Sequence, residues 1–375
     1  MNDLHGYLLP INIAVLNNDR GYNDRQFAKI IKIYEDEIPE IRDVDIVIVG
    51  INEFRGEGIF GNASPADAVR AQLYKLHNWH KDVSIADIGN IRCGSSISDS
   101  YAAIKIVIQE LLQLNKTIII LGGSHDNTLG QYYAYKELNQ VIEATVIDAT
   151  IDLMSESQTR SENFLLEMLT SEPNVIKHYN HIGFQSYFVH PHMLETMDKL
   201  RFDCYRVGTA RERLEEMEPV IRNSHMLSFD IAAIKHSDAP AVSCSPNGFT
   251  GEEACNLMRY AGLSPVLSSL GIYGYNPERD ERCLTALQIA QMLWYFIDGK
   301  SRSKEEAELQ DKQSFNEYHT AFAEVDTIFL QSKKTGRWWM QLPNKKLIAC
   351  SHNDYLFASN NKIPERWLRA QEREV

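Results

Sequence analysis

Short apolar runs recur along this 375-residue chain and alternate with segments whose apolar positions return every third or fourth residue. The runs predict strands over Asp45–Gly50, Lys116–Gly122, Ala144–Asp148, His181–Phe184, Cys204–Val207, Met226–Asp230 and Leu267–Tyr273. They are continuously apolar rather than alternating, as in a parallel sheet covered on both faces. The periodic stretches predict helices over Ser100–Leu114 and Asp280–Ile297. Thr250-Gly251-Glu252-Glu253 reads as a capping box opening a helix over Glu252–Tyr260. Repeated β-then-α order specifies the α/β class, a three-layer α/β/α sandwich around a mostly parallel sheet. Ligand sites in such folds lie at the carboxyl ends of the strands.

The ends of the chain depart from this rhythm. The first residues, 1–44, read as an N-terminal arm docking on a neighbouring element, and 45–300 as the α/β/α domain. A seam is expected at Asp298–Asp311, where Gly299, Ser301 and Ser303 lead into a charged run. Residues 301–375 read as an addition packed on the same domain. Within it Thr327–Leu330 and Trp338–Leu342 flank Lys333-Lys334-Thr335-Gly336 as a hairpin.

Composition narrows the function classes. A formal net charge of -13 leaves no basic face for a nucleic acid or an anionic membrane, so neither is expected as a partner. The six cysteines (Cys93, Cys204, Cys244, Cys255, Cys283, Cys350) form no C-x-x-C pair, which favours reduced thiols over a zinc ribbon or a disulfide framework. No signal-peptide layout and no apolar run of membrane-spanning length is present in the sequence, so a cytoplasmic location is expected. His190-Pro191-His192 matches no zinc spacing and reads as a helix start with Pro at its first position.

Three strand ends carry polar residues where a sheet would otherwise stay apolar. KTIIIL runs into Gly122-Gly123-Ser124-His125-Asp126, ATVI into Asp148-Ala149-Thr150-Ile151-Asp152, and ML into Ser228-Phe229-Asp230-Ile231-Ala232. An imidazole with several carboxylates suits a divalent cation such as Mn²⁺. The acid Asp126 reads as a helix first-turn residue stabilised by the dipole. His236 and Asp238 read as loop residues.

The ordered motifs resemble those of the ureohydrolase family: arginases, agmatinases and formimidoylglutamases. Members carry G-G-D-H-S, D-A-H-x-D and S-x-D-x-D at successive strand ends. Three more elements are similar to the family's later segments: Ala239-Pro240-Ala241-Val242-Ser243, Pro246-Asn247-Gly248-Phe249-Thr250-Gly251-Glu252-Glu253-Ala254 and Tyr275-Asn276-Pro277-Glu278-Arg279-Asp280. Gly50–Val69 is similar to its first loop. The formimidoylglutamase branch is the nearest in pattern, and the resemblance implies a homo-oligomer.

The same resemblance implies a ligand set. Its first manganese site maps onto His125, Asp148, Asp152 and Asp230. The second shares Asp148 and Asp230 but needs two further donors, at positions occupied here by Thr150 and Ala232. The family's proton-shuttling H-G-N-P loop aligns with Ser161-Glu162-Asn163-Phe164. Its acid for the substrate's cationic group falls on Gly274. One Mn²⁺ or another divalent cation is therefore expected, with the second site empty. Without a cation, Lys235 or bound protons must balance the acids. Two readings follow. One is a homologue with an incomplete metal site and weak or no ureohydrolase activity, retained to bind a small ligand, amidine- or guanidine-like, or a partner. The other is a single-metal hydrolase of C–N bonds in linear amidines.

Overall fold

The computed structural model describes residues 2–16, 21–61, 64–242, 245–322 and 325–374. Asn62 and Ala63 of the first loop, Ser243 of the third motif's sequel, and Cys244 of the thiol set lie outside the described residues. The other five cysteines are free.

Ten strands form the main sheet: β1 (Leu8–Leu9), β2 (Lys32–Ile33), β3 (Ile46–Ile51), β4 (Ile85–Ile91), β5 (Thr117–Leu121), β6 (Ile142–Ile147), β7 (Ile176–Phe184), β8 (Asp203–Arg206), β9 (Met226–Asp230) and β10 (Ser269–Tyr273). Their spatial order is β1-β4-β3-β5-β10-β9-β6-β7-β8, with β2 also beside β4. Only β1 runs antiparallel to its neighbour. The apolar runs become strands because both faces need burying. Ile46, Ile48, Ile119 and Leu121 point into one core, and Val47, Val49, Ile118 and Ile120 into the other. Helices cover each face. Pro65–Leu73, Gly251–Leu263 and Leu284–Ser303 lie on the first, and Ile97–Gln113, Thr128–Glu137 and Phe164–Thr170 on the second.

All seven expected strands form, with shifted ends. The largest shift is in β7, which starts at Ile176 rather than His181. The capping box at Thr250 and Glu253 is present, and the helix it opens runs Gly251–Leu263. Pro191 opens the helix Pro191–Lys199, as its position implied. The helix expected from Ser100 starts at Ile97, because Ser96 and Asp99 form a second capping box. The helix expected over Asp280–Ile297 instead runs Leu284–Ser303, so the first part of the expected seam is helical.

β4 escaped the apolar pattern because its sequence, IADIGNI, places Asp87, Gly89 and Asn90 inside a strand. The polar side chains are there for a partner. Arg70, fully buried on the helix Pro65–Leu73, donates from Nε and Nη2 to the two Asp87 oxygens at 2.8 Å each, and from Nη1 to Asn90 Oδ1 at 2.6 Å. Tyr74 Oη adds a bond to Asp87 at 2.9 Å. β1 and β2, from the N-terminal arm, then pair with β4 from outside.

Beyond the helix Leu284–Ser303, strands β11 (Phe315–Phe322), β12 (Val325–Ser332), β13 (Trp338–Gln341) and β14 (Leu347–Cys350) form a separate antiparallel sheet in sequence order. It includes the expected hairpin between β12 and β13. Helices His352–Ser359 and Glu365–Glu374 complete this C-terminal unit. It is joined to the main domain through buried Arg222, whose guanidinium stacks on Trp339 at 4.6 Å and donates to Trp338 O at 2.7 Å. Arg337 reaches back to Glu306 and to Leu263 O, both at 2.9 Å.

The Arg70–Asp87 pair makes a test of the sheet's wall. Arg70→Met leaves Asp87 buried without its counter-charge, and should cost about 3–5 kcal/mol of unfolding free energy. Chemical denaturation followed by circular dichroism measures this, and a loss below about 1 kcal/mol would contradict the assignment of Asp87 as a paired buried charge.

Candidate metal centre

Four adjacent strands, β5, β10, β9 and β6, direct their carboxyl ends to one place. The chain leaves β5 and returns on β6 across β10 and β9, which is where sheets of this kind open a crevice. Gly122 and Gly123 (φ 95° and 79°) turn the backbone sharply after β5, bringing His125 over the sheet in a short 3₁₀ turn, His125–Asn127. Asp148 follows β6 directly, and Asp230 is the last residue of β9.

All four residues expected as ligands of one ion come together. Donor atoms of His125, Asp148 and Asp230 lie within 4.8 Å of one another. His125 Nδ1 stands 3.0 Å from Asp152 Oδ2, 3.3 Å from Asp148 Oδ2 and 3.4 Å from Asp230 Oδ2. The other ring nitrogen, Nε2, bonds Ser228 Oγ at 2.9 Å, and Ser228 Oγ bonds Thr128 Oγ1 at 2.7 Å. With the proton on Nε2, this chain turns the Nδ1 lone pair towards the carboxylates. Nδ1 makes no hydrogen bond among the described residues although its side chain is buried. An orphaned imidazole nitrogen facing three carboxylates is the donor set of a divalent cation site, so the residues fit such an ion.

The electrostatics express the same crowding. Burial opposes charge on His125, yet Asp148, Asp152 and Asp230 overcome it and hold its proton well above the usual imidazole range. Burial and Asp148 push Asp152 up to about 7. The same two causes hold Asp230 well above the carboxylate range. Burial acts on Asp148 as well, but His125 and His181 outweigh it and keep that acid ionised. His181 is itself driven down to about 4 by burial.

At the positions of the second ion's extra donors, Thr150 Oγ1 lies 3.1 Å from Asp148 Oδ2 and 3.2 Å from Asp152 Oδ1. Ala232 contributes its backbone N–H to Asp230 Oδ1 at 2.7 Å. Gly274 has φ +77°, and a Cβ there would sit 2.5 Å from Asp230 Oδ1. Asp230 thus occupies the space a side chain at 274 would require. Lys235 pairs with Asp238 at 3.3 Å rather than entering the cluster. Asp238 also accepts the Gly251 N–H, and exposed His236 bonds Val242 O, so both are loop residues. Asp126 lies in the turn after His125 but is wholly buried. Tyr101 donates to one of its oxygens, and its carboxyl group is raised by burial.

Two contributors lie in segments already likened to the family's, Phe164 in Ser161–Phe164 and Glu57 in Gly50–Val69, but were not among the expected site residues. Phe164 opens the helix Phe164–Thr170 and sets its ring edge-on to His125, with centroids 4.8 Å apart. Glu57, in the turn Arg55–Glu57, lies within electrostatic range of Asp126 and Asp230 and is raised by burial and by Asp126. Only the aromatic-after-polar step Asn163-Phe164 hinted at the first, and nothing local marked the second.

The model of the arginase family matches residues 44–298. A formimidoylglutamase of Lysinibacillus sphaericus is 24% identical over 279 residues, 70% of this chain and 82% of that protein. Among solved structures, Bacillus subtilis formimidoylglutamase superposes with a TM-score of 0.65 at 18% identity, covering 76% of this chain and 95% of the other. Trypanosoma cruzi formiminoglutamase with Mn²⁺ gives 0.64 at 17% identity, covering 74% and 99%. No helix among the described residues is long and apolar enough to cross a membrane.

The titrations predict a pH-dependent response to metal. The proton of His125, held above its ordinary value of 6.5, contributes stability that is present below that value and lost as pH rises through the folded-state pKa. For Asp152, raised from 3.8 to about 7, the folded state's preference for the proton is lost as pH rises through 7. Asp148, lowered, loses its contribution only in acid and does not change between pH 6 and 8. Metal-free protein is therefore less stable at pH 8 than at pH 6, and a cation competes with these protons. The rise in Tm on adding Mn²⁺ should be larger at pH 8, with apparent affinity higher by about tenfold or more. Equal or smaller gains at pH 8, read by scanning calorimetry, would remove His125 and Asp152 from the ion's ligand set.

Proposed function

The chain belongs to the arginase family, and from that membership we propose that it is a diverged, formimidoylglutamase-like homologue that holds one divalent cation and turns over ureohydrolase substrates weakly or not at all. The observation that carries this reading is the asymmetry of the cluster. One imidazole nitrogen and three carboxylates face a single point. At the two positions where the family places the second ion's further donors stand a hydroxyl and a methyl group.

Thr150 adds to the asymmetry, because its hydroxyl ties Asp148 to Asp152 instead of offering an imidazole. A bound ion would be held by His125, Asp148, Asp152 and Asp230, and would supply charge to polarise a substrate or to acidify water. Three carboxylates around one ion offset its charge and weaken that acidification, whereas catalytic zinc keeps neutral ligands and an open position. Ser228 and Thr128 orient His125, and Phe164 screens it from water. Neither Gly274 nor the Ser161–Phe164 segment supplies the acid or the imidazole that positions substrate and moves protons in the family. The pocket is thus better suited to holding a small amidine- or guanidine-like ligand than to cleaving it.

A second reading keeps its force from the complete first donor set: a one-metal hydrolase of C–N bonds in a linear amidine. Metal analysis and a substrate panel separate the two. Native protein saturated with Mn²⁺ should carry about one ion per chain, and T150H/A232D about two, by elemental analysis. Two ions in the native protein would overturn the proposal. Release of ammonia, urea or formamide from arginine, agmatine or formimidoylglutamate, abolished by Asp230→Asn, would select the one-metal hydrolase.

A further inference from the structure

A large concavity lies away from the metal cluster. It has a volume of about 790 Å³ and runs between the C-terminal unit and the open edge of the main sheet at β8. Its walls come from β8, from the amino-terminal parts of β6 and β7 through Glu143 and His178, from β14, and from the helix Glu365–Glu374. The cavity follows the sheet edge from Glu143 and His178 to Phe184 and Arg206, the last residues of β7 and β8, and is lined by none of His125, Asp148 and Asp230. Its size falls in the range that encloses a small molecule.

Its charge is reversed relative to the chain. The protein has 51 acids against 38 Lys and Arg, yet this cavity is lined by seven Lys or Arg side chains and five Asp or Glu. Arg366, Arg369 and Arg373 project from one helix face and are paired with Asp354, Asp203 and Glu216. Lys177, Arg206 and Arg213, exposed at the mouth, have no ion pair or side-chain hydrogen bond among the described residues. Inside, His178 is 7% exposed. Its Nε2 lies 3.1 Å from both Asp203 Oδ2 and Asn180 Oδ1, which fixes the ring, while its Nδ1 has no partner among the described residues.

We infer that this cavity binds a small organic polyanion, one carrying two or more carboxylate or phosphate groups. The unpaired cations of the mouth take the charged groups, in the charge-assisted geometry that arginine gives to both oxyanions. Because Glu216, Asp354 and the three helix arginines join the C-terminal unit to the main domain around this space, the ligand would also fasten the two together. The inference does not rest on the metal reading.

Calorimetric titration of metal-free, full-length protein with pyrophosphate and, separately, with citrate tests it, with glycerol as an uncharged comparison. The expected result is one site per chain for at least one anion, a rise in Tm with that anion, and no heat with glycerol. The arm that binds identifies phosphate or carboxylate as the preferred group. R206E/R213E changes two exposed side chains, so its circular dichroism and unliganded Tm should match the native protein, while its affinity falls by about tenfold or more. Absence of binding by either anion at about 10 mM, or undiminished binding by a folded R206E/R213E protein, would overturn the inference.

Discussion

Three carboxylates and one imidazole share a buried space at the carboxyl ends of β5, β6 and β9, and their charge balance is the constraint on which the rest of this site depends. Burial and the neighbouring Asp148 hold the protons of Asp152 and Asp230 on above the usual carboxylate range. His125 answers part of that demand as a cation of its own when no ion is bound. A divalent ion would answer more of it, through the Nδ1 atom that faces the three carboxylates. Ser228 and Thr128 keep the imidazole aimed at them.

Three neutral residues around this point each meet an acid of the cluster. Thr150 bridges two of the acids, Ala232 leaves only its backbone N–H on Asp230, and Gly274 yields its side-chain space to that same carboxylate. Each change either caps an acid with a neutral donor or removes a competing charge.

The C-terminal unit shows how arginine serves as a joint. Arg222 and Arg337 sit beside Trp339 with their guanidinium groups satisfied by Glu218, Glu306 and backbone carbonyls from both sides. Planar, multiply hydrogen-bonded and stacked, they cannot be exchanged for lysine without losing both contacts. The sequence marked Arg337-Trp338-Trp339 only as part of a hairpin, because the groups that satisfy it lie far away in the chain. The same holds for β4, whose Asp87 and Asn90 look like a loop until Arg70 is placed against them.

What the sequence alone determined is local or ordered along the chain. Continuous apolar runs fixed the parallel sheet, Thr250 and Pro191 fixed helix starts, and the series of motifs after three strands fixed His125, Asp148, Asp152 and Asp230 as one group. These features are legible because periodicity, capping and strand-end position are properties of short segments. Tertiary structure decided the remainder. It buried the first-turn acid Asp126 against Tyr101, set Phe164 over His125, and brought Glu57 near the acids. It also folded the helix Glu365–Glu374, with Arg366, Arg369 and Arg373, over the sheet edge to make a second cavity. Each of these depends on which residues meet across long separations, and no window of sequence contains both partners.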